Sequence, residues 1–513
     1  MGISAINSLS LRSASWRRQP RKVQSGLVCS PCKVRDCFVP EERSGRAVPP
    51  RNDKSNMSLR AIAWQPRTLQ SGLVCSPGKV RGCFVPRNDR WGISGLLLRV
   101  ITAGIILLSS ITQSYAQSFD NNVYRPEIRS VEFYNTSKQA SFPIINLGSS
   151  ERVLLSFDDL QGGTKTIYYS IEHCDAEWNS SNLSPAEYLQ SYTEDRLLDY
   201  SYSTNTIQKY THYEVKLPNE NIAPKIAGNY VLKVYEDGDQ SKLILTRRFY
   251  VLGAKASLFA EIVPSNNVAA RQSNQKINFT ISTNNLSVQN PSANIRTVIM
   301  QNARTETAQL NVQPTYIRGT QLVYSDVTMN DFPGGNEFRH FDTRTLKLNS
   351  EHIARIFRDT ANIVVLLTDP NRDQPNYTFQ YDLNGNYYVI NQDGIDPRRD
   401  ADYARTYFSL AANRQAIDGN VYIAGRFNDY KLDERSKMTN DANGKFYINL
   451  LLKQGVYDYQ YVWVDKAGKA DYTALEGSHF ETENDYQVLV YYRPPGARWE
   501  ELVGYQVLNT VKK

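Results

Sequence analysis

The sequence predicts a mostly β chain built from tandem β-sandwich domains, and three observations carry that expectation. The first is alternation. "YEVKLP" (Tyr213–Pro218), "YVLKVYEDGD" (Tyr230–Asp239), "LILTRRFYVL" (Leu243–Leu252) and "YDYQYVWVD" (Tyr457–Asp465) read as strands, whose period of two sends successive side chains to opposite faces. The second is punctuation: Asp237-Gly238, Asn384-Gly385 and Asn443-Gly444 are turn signals at short spacing. The third is tyrosine. Of 33 tyrosines, 32 follow residue 116, and this residue favours strands and half-buried faces. Helical patterns are scarce. The best is "NSEHIARIFRDT" (Asn349–Thr360), where Ser350 would cap a helix with Ile353, Ile356 and Phe357 on one face.

The elements in chain order begin with a duplication. Gln24–Pro40 and Gln70–Pro86 are identical at 15 of 17 positions and hold five of the six cysteines. Cys29, Cys32 and Cys37 in the first copy face only Cys75 and Cys83 in the second, because Cys32 is replaced by Gly78. A structural zinc site needs four Cys or His ligands, and the first histidine is His173, so no metal is expected. Residues 91–116 then combine flanking Arg90 and Arg99, an apolar run from Val100 to Ile111 and a small-residue site at Ser114-Tyr115-Ala116. This is the pattern of a secretory signal peptide cleaved after Ala116. The apolar core is shorter than the roughly 20 residues of a membrane span. Residues 1–90 are accordingly read as a repeat-derived extension outside the working protein, and their cysteines as carrying no function.

Removing that segment inverts the charge. Residues 1–116 carry 18 Lys+Arg and 5 Asp+Glu against a whole-chain net of +7, which leaves −6 on residues 117–513. Nucleic-acid binding thereby loses its compositional support. Cys174 is the sole cysteine left, so no intramolecular disulfide is expected and stability must come from core burial. Gln117, not Cys, follows the cleavage site, so neither a lipid anchor nor direct membrane insertion is indicated. Boundaries at Gly253-Ala254 and in the polar stretch "NQDGIDPRRDADY" (Asn391–Tyr403) divide the chain into three immunoglobulin-like units: 117–253, 254–394 and 395–513.

Chemistry-bearing motifs are few. The five histidines are scattered singly, without H-E-x-x-H, G-x-S-x-G or a P-loop. "HCDAEW" (His173–Trp178) crowds His, Cys, Asp and Glu, but a strand would turn His173 and Cys174 to opposite faces. A buried Cys174 beside a capped turn, with Trp178 as an anchor, is the expected arrangement. "EDGD" (Glu236–Asp239) lacks the ligand spacing of a calcium loop and reads as a hairpin turn. "FPGGNEFRHFD" (Phe332–Asp342) reads as a structured interdomain loop, with Gly334, Gly335, Glu337, Arg339 and His340 as the candidate partner-contact residues. Tyr457, Tyr459, Tyr461 and Trp463 share one strand face; they form either core or a platform for sugar rings.

Taken in order, "SFPIINLGSSERVLLSFDDL" (Ser141–Leu160), "YYSIEHCDAEWNSSNLSPAEYL" (Tyr168–Leu189), "YTHYEVKLPN" (Tyr210–Asn219), "AGNYVLKVYEDGD" (Ala227–Asp239), "LTRRF" (Leu245–Phe249), "GGNEFRHFD" and "EGSHFETENDYQVLVYYR" (Glu476–Arg493) resemble the plug-protein family of the type IX secretion system. "VYIAGRFNDY" (Val421–Tyr430) with "KQGVYDYQYVWVD" (Lys453–Asp465) also resembles early-set immunoglobulin-like modules related to glycogen-binding domains. The first resemblance implies a non-catalytic periplasmic protein without cofactor, lying against the inner side of the outer membrane. Its partner would be the translocon, a large outer-membrane β-barrel that it occludes. The second leaves an alternative, a periplasmic carbohydrate-binding module using Tyr457–Trp463. An unrecognised hydrolase fits poorly with the scattered histidines.

Overall fold

The computed structural model describes residues 119–311, 313–412 and 418–511. The duplicated segment and the expected signal peptide, with its expected cleavage after Ala116, lie outside these residues.

The first sandwich is built as its alternation requires. One sheet holds Ile128–Asn135, Val153–Asp159, Thr211–Leu217 and Asp199–Tyr202. The facing sheet runs Asn122–Val123, Leu243–Leu252, Gly228–Glu236, Ile167–Cys174 and Asp195–Arg196, with Ile144–Asn146 added parallel to Leu243–Leu252. Val153, Leu155 and Phe157 meet Tyr230, Leu232, Val234 and Phe249 in the core between them. The hairpin at Asp237-Gly238 works because both residues adopt positive φ, 57° and 73°. The sheets' outer faces are also covered. Val231 and Tyr250 point away from this core into a second apolar cluster, and Asp158, fully buried, points away from it on the opposite side.

The middle sandwich departs from the expected boundaries. Ser257–Pro264, Asn274–Ser282, Gln321–Tyr324, Tyr316–Arg318 and Asp331–Pro333 form one sheet. The other contains Gln309–Asn311 and Ile295–Gln301, but is completed by Asp485–Tyr492 and Glu501–Asn509 from the end of the chain. Ile295–Gln301 pairs antiparallel with Tyr486–Tyr492. Units 254–394 and 395–513 are therefore not the folding modules. The third sandwich is an insertion between the two halves of the second.

That third sandwich places Gly455–Val464 centrally in one sheet, beside Arg339–Asp342, Tyr387–Val389, Asn420–Ala424 and Ala470–Asp471. Its other sheet runs Ile353–Arg358, Asn362–Leu366, Tyr403–Leu410, Phe446–Lys453 and Thr439–Asn440. The polar stretch at 391–403 is an ordered connection inside this module, not a boundary. Its short helix Pro397–Asp400 is capped by Asp396, whose side chain accepts from the Arg398 amide. The helix expected at Asn349–Thr360 is instead the strand Ile353–Arg358, paired with Asn362–Leu366. His352 has φ 62°, which interrupts a helix, and the Ser350 hydroxyl bonds Asp342 Oδ2 rather than capping. Pairing with an apolar β-branched strand outweighs the local helical pattern.

Candidate functional site

The aromatic stripe is core. Tyr457, Tyr459 and Tyr461 are at most 1% exposed, and Trp463 packs against the same cluster. Phe341 and Tyr387 stack on Tyr457 at 5.2 and 5.3 Å. The hydroxyls of Tyr459 and Tyr461 both donate to Asp369 Oδ2, at 2.9 and 2.7 Å. These rings present no platform to solvent, which leaves the glycan-binding alternative without its stripe. The facing sheet needs apolar area, and these rings supply it with a polar tip that finds a buried acceptor.

The candidate partner-contact loop is likewise internal. Gly334, Glu337 and Arg339 are buried, and Gly335 and His340 are half-buried. The loop carries the chain from the middle sandwich at Asp331–Pro333 into the third at Arg339–Asp342. A Cβ on Gly334 would stand 2.0 Å from the His479 carbonyl oxygen, so only glycine lets the outgoing and returning chains pass. Arg339 donates to Asp369 Oδ1 at 3.0 Å, Glu476 Oε1 at 3.0 Å and the Pro370 carbonyl at 2.9 Å. Its guanidinium lies over the Tyr461 ring. His340 Nδ1 is 2.6 Å from Asp458 Oδ1. Arg339 and His340 are paired inside the protein, and the loop is the joint between two sandwiches, the interdomain connection that its sequence suggested.

Nor is "HCDAEW" a reactive centre. His173 is held by Ser181 Oγ at 2.8 Å and burial pushes its pKa down to about 4. Cys174 faces the other way, and burial pushes its thiol up, which suppresses the thiolate needed for nucleophilic work. Asp175 Oδ1 accepts from the amides of Glu177 and Asn179, forming the capped turn. Among the described residues, no group of three or more His, Cys, Asp or Glu could hold a metal ion.

What the structure assembles are two junctions on opposite faces of the first sandwich. Toward the third sandwich the contact is ionic. Asp158 Oδ2 accepts from Lys453 Nζ and from the Tyr403 hydroxyl, both at 2.7 Å, and Asp158 Oδ1 lies 2.6 Å from His212 Nδ1. His212 Nε2 reaches Glu214 at 3.2 Å, and Lys453 lies 4.1 Å from the centre of the Tyr210 ring. Burial disfavours charge on His212, but its bonds to Asp158 and Glu214 outweigh that and raise its pKa. Burial also opposes the Asp158 carboxylate, yet Lys453 and His212 hold it below its ordinary range. Asp402 secures the edge, accepting from the Ile207 and Gln208 amides at 2.6 and 3.1 Å.

Toward the middle sandwich the contact is apolar. Cys174, Trp178, Val231 and Tyr250 pack against Val298, Met300, Leu489, Tyr491 and Leu502. Phe142 stacks between Tyr250 and Tyr505 at 4.6 and 5.7 Å. A few directed bonds fix it, such as Tyr491 hydroxyl to Asn229 Oδ1 at 2.9 Å and the Gly253 amide to the Leu502 carbonyl at 2.8 Å. The middle and third sandwiches are themselves braced by Arg304, whose guanidinium sits between the Tyr430 and Tyr472 rings at 4.7 and 4.5 Å. Sequence reasoning missed Asp158, His212, Tyr403 and Lys453. Each ends or interrupts an apolar strand, where a polar residue ordinarily marks solvent, so no local signal distinguished them.

The fold and its junctions define a class: a braced assembly of three β-sandwiches. Among the described residues no helix is long and apolar enough to cross a membrane. Residues 128–253 match the family model described as "Type 9 secretion system plug protein 1st domain". The crystal structure of a hypothetical protein from Parabacteroides merdae ATCC 43184 is similar at 31% identity and a TM-score of 0.74, covering 77% of this chain and 100% of that one. The chain belongs to one family with that protein, and residues 128–253 are similar to the first domain of type 9 secretion system plug proteins. Two other solved structures share no more than marginal likeness. Alkylpurine DNA glycosylase AlkC from Pseudomonas fluorescens, bound to DNA containing an abasic site analog, gives 16% identity over 24% of this chain and 30% of that one, with a TM-score of 0.16. Dimeric latent PorU from Porphyromonas gingivalis gives 10% identity over 75% and 34%, with a TM-score of 0.14. No curated protein matches.

Proposed function

We propose that this protein is a non-catalytic periplasmic plug that occludes the outer-membrane translocon barrel of the type IX secretion system when no substrate is engaged. The observation that carries this reading is the bracing of all three sandwiches around the plug-protein first domain. That domain is buried on both outer faces, by Asp158–Lys453 on one side and the Tyr250–Leu489 cluster on the other. A steric seal over a protein-wide pore needs no chemistry. It needs a body that does not deform, and a surface of moderate, polar-rimmed contact that releases. The third sandwich is read as an early-set immunoglobulin-like module serving that rigidity.

The test is genetic. Deleting the gene in an otherwise assembled secretion system should raise outer-membrane permeability to large antibiotics and dyes, while cargo export persists at least in part. Deleting the barrel as well should remove that extra permeability, because the hole is gone. Normal permeability in the single deletion, with no co-purification of the barrel, would sink the proposal.

A further inference from the structure

Between the first and third sandwiches lies a cleft of about 440 Å³, within the size range of small-ligand sites. Its walls are of two kinds. Ile128, Phe427, Leu450 and Leu452 give apolar surface, while six basic residues line it against two acidic ones, Asp429 and Asp433. The acids are already engaged: Asp429 lies 3.2 Å from Arg247, and Asp433 accepts from the Arg435 backbone amide at 2.9 Å. Among the described residues, Arg129, Arg405, Arg426 and Arg435 have no carboxylate within ion-pair distance, although all four line the cleft. Arg129 Nε is buried and has no hydrogen-bond partner. Burial, then the neighbouring Arg435, lowers the Arg129 pKa, with Tyr403 acting in the opposite sense.

This concentration of cations stands in a chain whose residues 117–513 carry −6. Arg129 and Arg426 are half-buried and Arg405 and Arg435 exposed, so these guanidinium groups give the cleft a positive field that attracts an anion, most strongly at the unpartnered Arg129. Guanidinium groups bind phosphate and carboxylate through paired N–H donors. The apolar wall beside them would cover a hydrocarbon body. We propose that this cleft binds an anionic amphiphile, one phosphate or carboxylate head on an aliphatic body. A lipid headgroup and a soluble acyl compound share that chemistry.

Calorimetric titration of the protein with monomeric octyl phosphate tests the proposal. One saturable site per chain is expected, with inorganic phosphate alone about tenfold weaker or more and octyl glucoside giving no saturable heat. Arg129→Gln and Arg405→Gln should each weaken octyl phosphate by about fivefold or more with little change in melting temperature, since neither removes an ion pair and Arg405 gives up only an exposed bond to Asn449 Oδ1. Flotation with phosphatidylcholine vesicles containing phosphatidic acid separates the sources. Flotation lost in Arg129→Gln assigns a lipid headgroup; monomer binding without flotation assigns a soluble amphiphile. No saturable heat with octyl phosphate at about 1 mM, or affinity unchanged from the wild type in both arginine variants, would overturn the site.

Discussion

The two outer faces of the first sandwich are sealed by opposite physics. One buries Val231, Trp178 and Tyr250 against Met300 and Leu489, an apolar contact that is non-directional and grows with area. The other buries Asp158, His212 and Lys453, none more than 7% exposed along its side chain. Such a contact gains little net stability, because desolvation consumes most of the attraction, but it tolerates only one alignment. The difference teaches how a multi-sandwich body becomes rigid. The apolar face supplies adhesion, and the ionic face supplies register.

The comparison breaks most sharply at Lys453. Lys453→Met alone should cost about 3–5 kcal/mol, because it leaves the Asp158 carboxylate buried and under-compensated. Asp158→Asn combined with Lys453→Met should recover most of that loss. Denaturant titration of single and double variants checks both, and a double variant as unstable as the single would contradict the ionic description. At the apolar face Leu489→Ala should cost about 2–5 kcal/mol through lost burial and a cavity. Leu489→Met should cost less than about 1.5 kcal/mol, as volume-conserving swaps do. If Leu489→Met proved as damaging as Leu489→Ala in the same titration, that face would be a specific lock and not an adhesive one.

The third sandwich calibrates the two junctions. Tyr461→Phe should cost about 1–3 kcal/mol, since Asp369 then loses one buried donor while the ring remains. An unchanged melting curve would mean that the hydroxyl bond contributes nothing.

The smallest effect sharpens the ionic face by pH. The folded-state pKa of His212 is raised. Its contribution is therefore full below its unfolded value of about 6.5 and is lost as pH climbs through the folded value. The Asp158 pKa is lowered, so its contribution is full above about pH 4 and is lost as pH falls through the folded value. Asp382 in the third sandwich, pushed up to about 8 by burial and by Asp458, costs stability progressively from about pH 4 to about pH 8 and so adds to the fall only below pH 8. Denaturation midpoints should fall between about pH 6 and pH 9, and His212→Gln should remove part of that fall. Midpoints that rise over this interval would contradict the assignment.

What depends on neighbours along the chain was legible in the residues alone. Period two in Gly228–Glu236 and Gly455–Val464 placed Tyr230, Tyr457, Tyr459 and Tyr461 on strand faces that are buried. Asp237-Gly238 fixed a hairpin because two positive φ values suit that pair. Motif order also pointed to the plug proteins whose first domain residues 128–253 resemble. Only the tertiary structure decided which strands complete which sandwich. Periodicity says that Ile295–Gln301 wants a partner but not that Tyr486–Tyr492 provides it, because backbone hydrogen bonds carry no side-chain identity. The same limit turned the amphipathic-looking Asn349–Thr360 into a strand and moved Arg339 from an expected contact loop to a buried joint. A charged residue reads as surface until another domain covers it, and what covers Asp158 is a lysine 295 residues further along the chain.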